Sequence, residues 1–113
     1  MFCRLSSNNI GDAGAAAIAN AIAVNASVTK LFLHENKIGD LGATAIAEAL
    51  RVNASMTRLS LAVNKIGNAG ATAIANAIAV NASLKLETLV VDDYILGNPQ
   101  LVAACRAKGV ELK

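Results

Sequence analysis

The chain has 113 residues, of which 55% are hydrophobic and 16% charged, enough apolar material for one folded domain and too much for intrinsic disorder. Aromatics amount to only 3%, with no Trp, so the core must come from small aliphatic side chains and above all from alanine. Ten basic and eight acidic residues leave a net charge of +2 spread along the chain, without the concentrated positive field of a dedicated nucleic-acid binder.

Taken in chain order, the pattern switches repeatedly between two periods. Cys3-Arg4-Leu5 alternates with period two and reads as a short strand. Gly14, Ala17, Ile18, Ala21 and Ile22 then fall at i, i+3, i+4, i+7 and i+8, the apolar stripe of an α-helix ending at Asn25. Leu31-Phe32-Leu33 is the next strand, followed by the stripe Gly42, Ala45, Ile46, Ala49 and Leu50 ending at Asn53. Leu59-Ser60-Leu61 is the third, followed by Gly70, Ala73, Ile74, Ala77 and Ile78 ending at Asn81. Asparagine tolerates the left-handed backbone that helix ends often need, so each of the three is expected to terminate its helix that way. Leu86, Leu89 and Val91 fit a fourth strand only after a two-residue insertion following Ser83, with Tyr94 where the earlier units carry asparagine. Asn98 reads as an N-cap with Pro99 at the first helical position, the helix runs through Leu101 to Lys108, and Gly109 closes it before Val110-Glu111-Leu112. This last unit reads as a C-terminal cap.

The units repeat with a fixed step. Asn8, Asn36 and Asn64 are 28 residues apart, as are Ile10, Ile38 and Ile66, and Gly14, Gly42 and Gly70. Laying residues 8–29 over 64–85 gives 17 identities in 22 positions. A unit of this size in tandem implies a solenoid in which each copy covers its neighbour's apolar face, with repeats at about 1–29, 30–57, 58–85 and 86–113. The string Val28-Thr29-Lys30-Leu31-Phe32-Leu33-His34-Glu35-Asn36 resembles the leucine-rich repeat segment LxxLxLxxN. Lys37-Ile38-Gly39-Asp40-Leu41-Gly42-Ala43 is similar to the variable half of the ribonuclease-inhibitor-like class, which includes the sensor domains of NOD-like receptors and the Ran GTPase-activating proteins. The resemblance implies an α/β fold, a right-handed leucine-rich-repeat solenoid (a horseshoe segment) with parallel strands on the concave face and helices on the convex face. It also implies that Asn8, Asn36 and Asn64 hydrogen-bond loop backbone inside the turns. For function it implies a binding scaffold and no particular partner.

Several features invite chemistry and have plainer explanations. Asn25-Ala26-Ser27, Asn53-Ala54-Ser55 and Asn81-Ala82-Ser83 match the N-glycosylation pattern, but their identical placement at helix ends already gives them a structural job. Gly11-Asp12-Ala13-Gly14 hints at a phosphate-cradling loop before a helix, yet it recurs in related form in each repeat and lacks the Lys and Ser/Thr of a P-loop. His34 is the only histidine, which removes most ways of building a triad or a zinc site. Cys3 and Cys105 lie near opposite ends, neither a disulfide framework nor a metal spacing, and no basic cluster is available to activate either. A string like a secretory leader, Ala13 to Val24 after Arg4, recurs internally and is explained by the repeat. The uncharged stretch from Ile66 to Leu84 carries Asn68, Thr72, Asn76, Asn81 and Ser83, so no membrane span is expected. These readings point to a cytoplasmic, non-enzymatic chain with no cofactor, no metal and no nucleic-acid or membrane partner.

The strand face is the surface that varies while the scaffold repeats. With the leucines turned inward, pleating sends Phe2, Arg4 and Ser6; Lys30, Phe32 and His34; Arg58, Ser60 and Ala62; and Thr88, Val90 and Asp92 to the concave side. Arg4, Lys30, Phe32, His34, Arg58 and Ser60 are the candidate partner-binding residues, with Phe32 as apolar anchor and the cations suited to a protein partner with an acidic surface. The plainer alternative is a merely solvated sheet face. A Ran-type GTPase activator, which supplies an arginine or asparagine to a bound GTPase, is a competing function for which the array is short. A self-associating segment of a larger repeat protein is another. At the N-terminal end Cys3, Leu5, Ile10, Gly14, Ala17 and Ile18 form a stripe with no preceding helix over it, which points to a homodimer packed through the first repeats.

Overall fold

Short period-two segments are too brief to stand alone as a sheet and are held in place by the amphipathic helices that follow them. The computed structural model describes residues 2–5, 9–25 and 27–113, with backbone alone at Phe2, Cys3 and Tyr94. Strand and helix alternate through it: β1 (Phe2–Arg4), α1 (Gly11–Val24), β2 (Lys30–Phe32), α2 (Asp40–Leu50), β3 (Arg58–Ser60), α3 (Asn68–Val80), β4 (Thr88–Val90), a single 3-10 turn (Asp93–Ile95), α4 (Pro99–Lys108) and β5 (Glu111–Leu112). The five strands form one parallel sheet in sequence order. Cys3, Leu31, Leu59, Leu89 and Leu112 share one register row, so the step is 28 residues until β4 and 30 there, two residues longer as an insertion ahead of β4 requires. The chain is thus an α/β leucine-rich-repeat-type solenoid, with each helix returning the chain to the start of the next parallel strand.

One core runs the length of the array between sheet and helices. Leu31, Leu33, Leu59, Leu61 and Leu89 are wholly buried from the strand side and meet Ile46, Leu50, Ile74 and Ile78 from the helices. The helices bury more than the stripe read from the sequence. Ala15 and Ala19, Ala43 and Ala47, and Ala71 and Ala75 lie outside that stripe and are buried, because each helix packs on the next helix as well as on the sheet. Alanine on these flanks permits the close helix spacing. Gly42 sits at the tightest approach: a Cβ there would come within 2.7 Å of Asp12 Oδ1 and Ile38 Cγ2 and 3.0 Å of Ala15 Cβ.

Two expectations are corrected at the ends of the helices. Ala17 and Ala21, placed in the buried stripe of α1, are exposed, whereas their counterparts one repeat on, Ala45 and Ala49, are half-buried and buried. None of Asn25, Asn53 and Asn81 is left-handed: Asn25 has φ −102° and Asn81 φ −83°, and α2 stops at Leu50 with Arg51 as its cap. Their side chains, not their backbone freedom, explain their position. At the other end α4 is built as its residues dictate, with the Asn98 side chain accepting from the Leu101 amide at 3.0 Å and Gly109 left-handed at φ 71°. Leu101, Cys105 and Val110 then close the core.

Candidate functional site

The loops leaving the strands are held from inside by asparagine amides. Asn36 is fully buried, and its Nδ2 donates to the carbonyls of Leu5 at 2.8 Å and Leu33 at 3.1 Å. Asn64 repeats this one unit on, donating to Leu33 at 3.0 Å and Leu61 at 2.9 Å while its Oδ1 accepts from the amides of Asn36 and Ile38. Each asparagine thus satisfies backbone of its own repeat and of the one before, groups that no strand ladder reaches. Asn8, read as the first of the series, lies outside the described residues. Where the fourth asparagine is missing, Asp92 substitutes: its carboxylate accepts from the amides of Val63 at 2.6 Å and Asn64 at 3.3 Å. Val63 is left-handed at φ 56°, an unfavourable conformation for a β-branched residue, and this bond pins it.

Two further sets of inter-repeat bonds escaped the sequence reading. Asp12 Oδ1 accepts from Gly39 at 2.7 Å and Gly42 at 2.9 Å, and Asp40 Oδ1 accepts from Gly67 at 2.7 Å and Gly70 at 3.0 Å. Each carboxylate caps the N-terminus of the following helix, where orphan amides and the helix dipole favour negative charge. The loop considered as a phosphate cradle is therefore filled, in α2 and α3, by the protein's own carboxylates. At the opposite ends of the helices Asn53 Nδ2 donates to the Ile22 carbonyl at 3.1 Å, and Asn81 Nδ2 donates to Leu50 at 2.7 Å and Asn53 at 2.9 Å. Both asparagines are buried with their amide nitrogens engaged, so neither is a glycan acceptor in the folded chain. Asn25 is exposed, and its Oδ1 accepts from Ser27 and Val28.

This scaffold fixes the outward positions of the strands. The backbone register sets Phe2, Lys30, Arg58, Thr88 and Glu111 in one row, and Arg4, Phe32, Ser60 and Val90 in the next. Arg4 is exposed and its guanidinium carbon stands 5.5 Å from the centroid of the Phe32 ring, within cation–π range. Lys30, Phe32, His34 and Arg58 are half-buried. Ser60 is corrected from exposed to buried, at 7% exposure, because its cross-strand neighbours Phe32 and Val90 are larger and overshadow it. It shapes a notch and offers little contact surface. Charge along the face is uneven, with Arg4, Lys30 and Arg58 on β1 to β3, Asp92 after β4, and Glu111 paired with Lys113 at β5. The Nε of Arg58 is shut off from solvent without an acceptor.

The residues named for self-association divide. Leu5, Ile10 and Ile18 are half-buried and packed against the core, whereas Leu33, Ile38 and Ile46, their counterparts one repeat on, are buried because the first repeat covers them. The side chain of Cys3 lies outside the described residues. Cys105 is a free, buried thiol, and burial pushes it up to about 11, away from the thiolate that a nucleophile needs. Among the described residues no cluster of His, Cys, Asp and Glu is arranged to hold a metal ion, and no helix is long and apolar enough to cross a membrane.

The same scaffold is found in known proteins. The family model described as Leucine Rich repeat matches residues 4–19, 24–47 and 52–75, together more than half of the chain. No curated protein sequence matches. A solved structure, Leiomodin-1 Actin-Binding Site 2 (ABS2), is similar in fold, with a TM-score of 0.82 and 24% identity over 98% of this chain and 68% of that one.

Proposed function

Starting from the chain's membership of the leucine-rich repeat family, we propose that it is a non-enzymatic scaffold that binds another protein on the outward face of its strands. The observation that carries this reading is the mixed group of Arg4, Lys30, Phe32 and Arg58 on three successive strands, displayed by a framework whose other positions repeat. Guanidinium and aromatic side chains on a rigid sheet are the composition favoured at interface hot spots, and the excess of cations suits a partner with an acidic surface. A similar fold carries an actin-binding site in leiomodin-1, which makes actin one defined protein to try. The ribonuclease-inhibitor-like subclass and a reducing, cytoplasmic setting belong to the same proposal, the latter agreeing with a buried, unpaired Cys105. The double variant Phe32→Ala with Arg58→Glu tests it. Capture of the partner should be lost while the circular dichroism spectrum and melting curve stay near wild type, and capture that survives would move the interface elsewhere.

A second reading, homodimerisation through the first repeat, is favoured by one observation. Ala21 on α1 is exposed where the equivalent Ala49 on α2 is buried, and Ala17 is exposed where Ala45 is half-buried. A two-fold pairing of first repeats would cover that face. Light scattering over a concentration series tests it: a dimeric mass that Ile18→Lys converts to monomer supports the pairing, and a monomeric mass at high micromolar concentration rejects it.

A further inference from the structure

We infer that Arg58 is the residue through which the strand face selects its partner, by receiving a carboxylate from an acidic polypeptide segment; this rests on the reading of that face as a protein-binding surface. Arg58 lies on β3, the middle strand of five. Its neighbours in the same register row are Lys30 on one side and Thr88 on the other, so neither cross-strand position offers a counter-ion. Neither of the salt bridges among the described residues, Arg51 with Glu48 and Lys113 with Glu111, involves it. Its Nε is the one buried side-chain nitrogen or oxygen among the described residues without a hydrogen-bond partner, in a scaffold where every asparagine amide just described is used. Buried donors on charged groups are costly to leave unpaired, and no side chain or backbone group of the described residues completes this one.

The chemistry of the group that would complete it follows from the surroundings. A guanidinium presents a planar fork that matches a carboxylate in bidentate geometry, a match that lysine lacks. Lys30 is one strand away, and Arg4 lies beyond it over Phe32, so a second and third acidic residue would find cations across the strands. The sequence places no acidic residue at the outward positions of β1 to β3, while Asp92 repels such a segment from the β4 end. Arg58 is half-buried with its Nε closed to solvent, so the carboxylate is received as the side chain swings outward past the small, buried Ser60. The occupant is therefore a polypeptide segment rich in aspartate and glutamate, centred on β2 and β3.

Replacing Arg58 by methionine separates binding from structure, because methionine keeps the length of the apolar stem and removes the unpaired donor. The probe is an acetylated, amidated eight-residue peptide of alternating aspartate and glutamate, titrated at low and physiological salt into wild type, R58M and K30M with amide resonances observed. The expected result is that the peptide shifts resonances of β2 and β3, that R58M weakens binding tenfold or more while melting at or above the wild-type temperature, and that K30M weakens it less. A lower melting temperature for R58M with unchanged peptide affinity would make Arg58 a packing residue and overturn the inference. Absence of any shift in wild type at low salt would overturn it as well. Partner capture distinguishes the two levels: indifference to R58M with sensitivity to Phe32→Ala removes this inference alone, and indifference to both removes the strand-face reading.

Discussion

Asn64→Ala probes the bonds that tie one repeat to the next. The substitution removes four hydrogen bonds of 2.9 to 3.0 Å, two donated to the carbonyls of Leu33 and Leu61 and two accepted from the amides of Asn36 and Ile38, together with a longer one to the Ala62 carbonyl at 3.3 Å. A typical intramolecular hydrogen bond contributes about 0.5 to 1.5 kcal/mol net, which sets the loss at roughly 2 to 6 kcal/mol. Asn64 itself is only half-buried, so water can reach some of the freed groups, and the lower half of that range, about 2 to 4 kcal/mol, is expected. For a domain of this length that corresponds to a fall in melting temperature on the order of 10 °C. Urea unfolding followed by circular dichroism gives the free energy, and Asn76→Ala on the exposed side of α3 is the matched control, expected within about 0.5 kcal/mol of wild type. A loss for Asn64→Ala no larger than that of the control would refute the reasoning that buried amides hold the loops.

Other perturbations test other joints. Gly42→Ala forces a Cβ against Asp12 Oδ1, Ile38 Cγ2 and Ala15 Cβ, and should cost about 1 to 3 kcal/mol in the same assay, whereas Gly97→Ala, with open space around it, should not. Asp12→Ala leaves the amides of Gly39 and Gly42 without their acceptor and should cost about 1 kcal/mol, read from urea midpoints. Cys105 has its folded pKa raised from 9.0 to about 11, so above pH 9 the unfolded state gives up the proton first and stability falls as pH rises, by about 2 to 3 kcal/mol once pH passes 11. Cys105→Ala should flatten that part of the pH profile, and an unchanged slope would show the thiol is not its source.

What the sequence made legible was local in the chain. Leu31 and Leu33 announce a strand because two residues suffice to show the period, and Asn98 with Pro99 and Gly109 announce α4 because caps act within a few residues. What it hid was contact across repeats. Asp12 meets Gly39 and Gly42 at separations of 27 and 30 residues, and only the recurrence of Asp12 and Asp40 ahead of a glycine pair held any signal for it. Asn53 and Asn81 pointed to helix ends for the wrong reason, since their amides reach back a whole repeat. The candidate surface was legible in outline through pleating. The burial of Ser60 was not, because it depends on Phe32 and Val90 from two other strands. The orphaned Nε of Arg58 depends on how the fold closes around it, which no local pattern encodes.

The claim that the strand face binds another protein is tested most directly by position-specific photo-crosslinking. A benzophenone amino acid placed at position 32, on the strand face, or at position 76, exposed on α3, is irradiated in extract from the source cells and the adducts are identified by mass spectrometry. The expected result is a discrete protein adduct from position 32 that Arg58→Glu abolishes, and none of that mass from position 76. An adduct formed from position 76 and not from position 32 would contradict it.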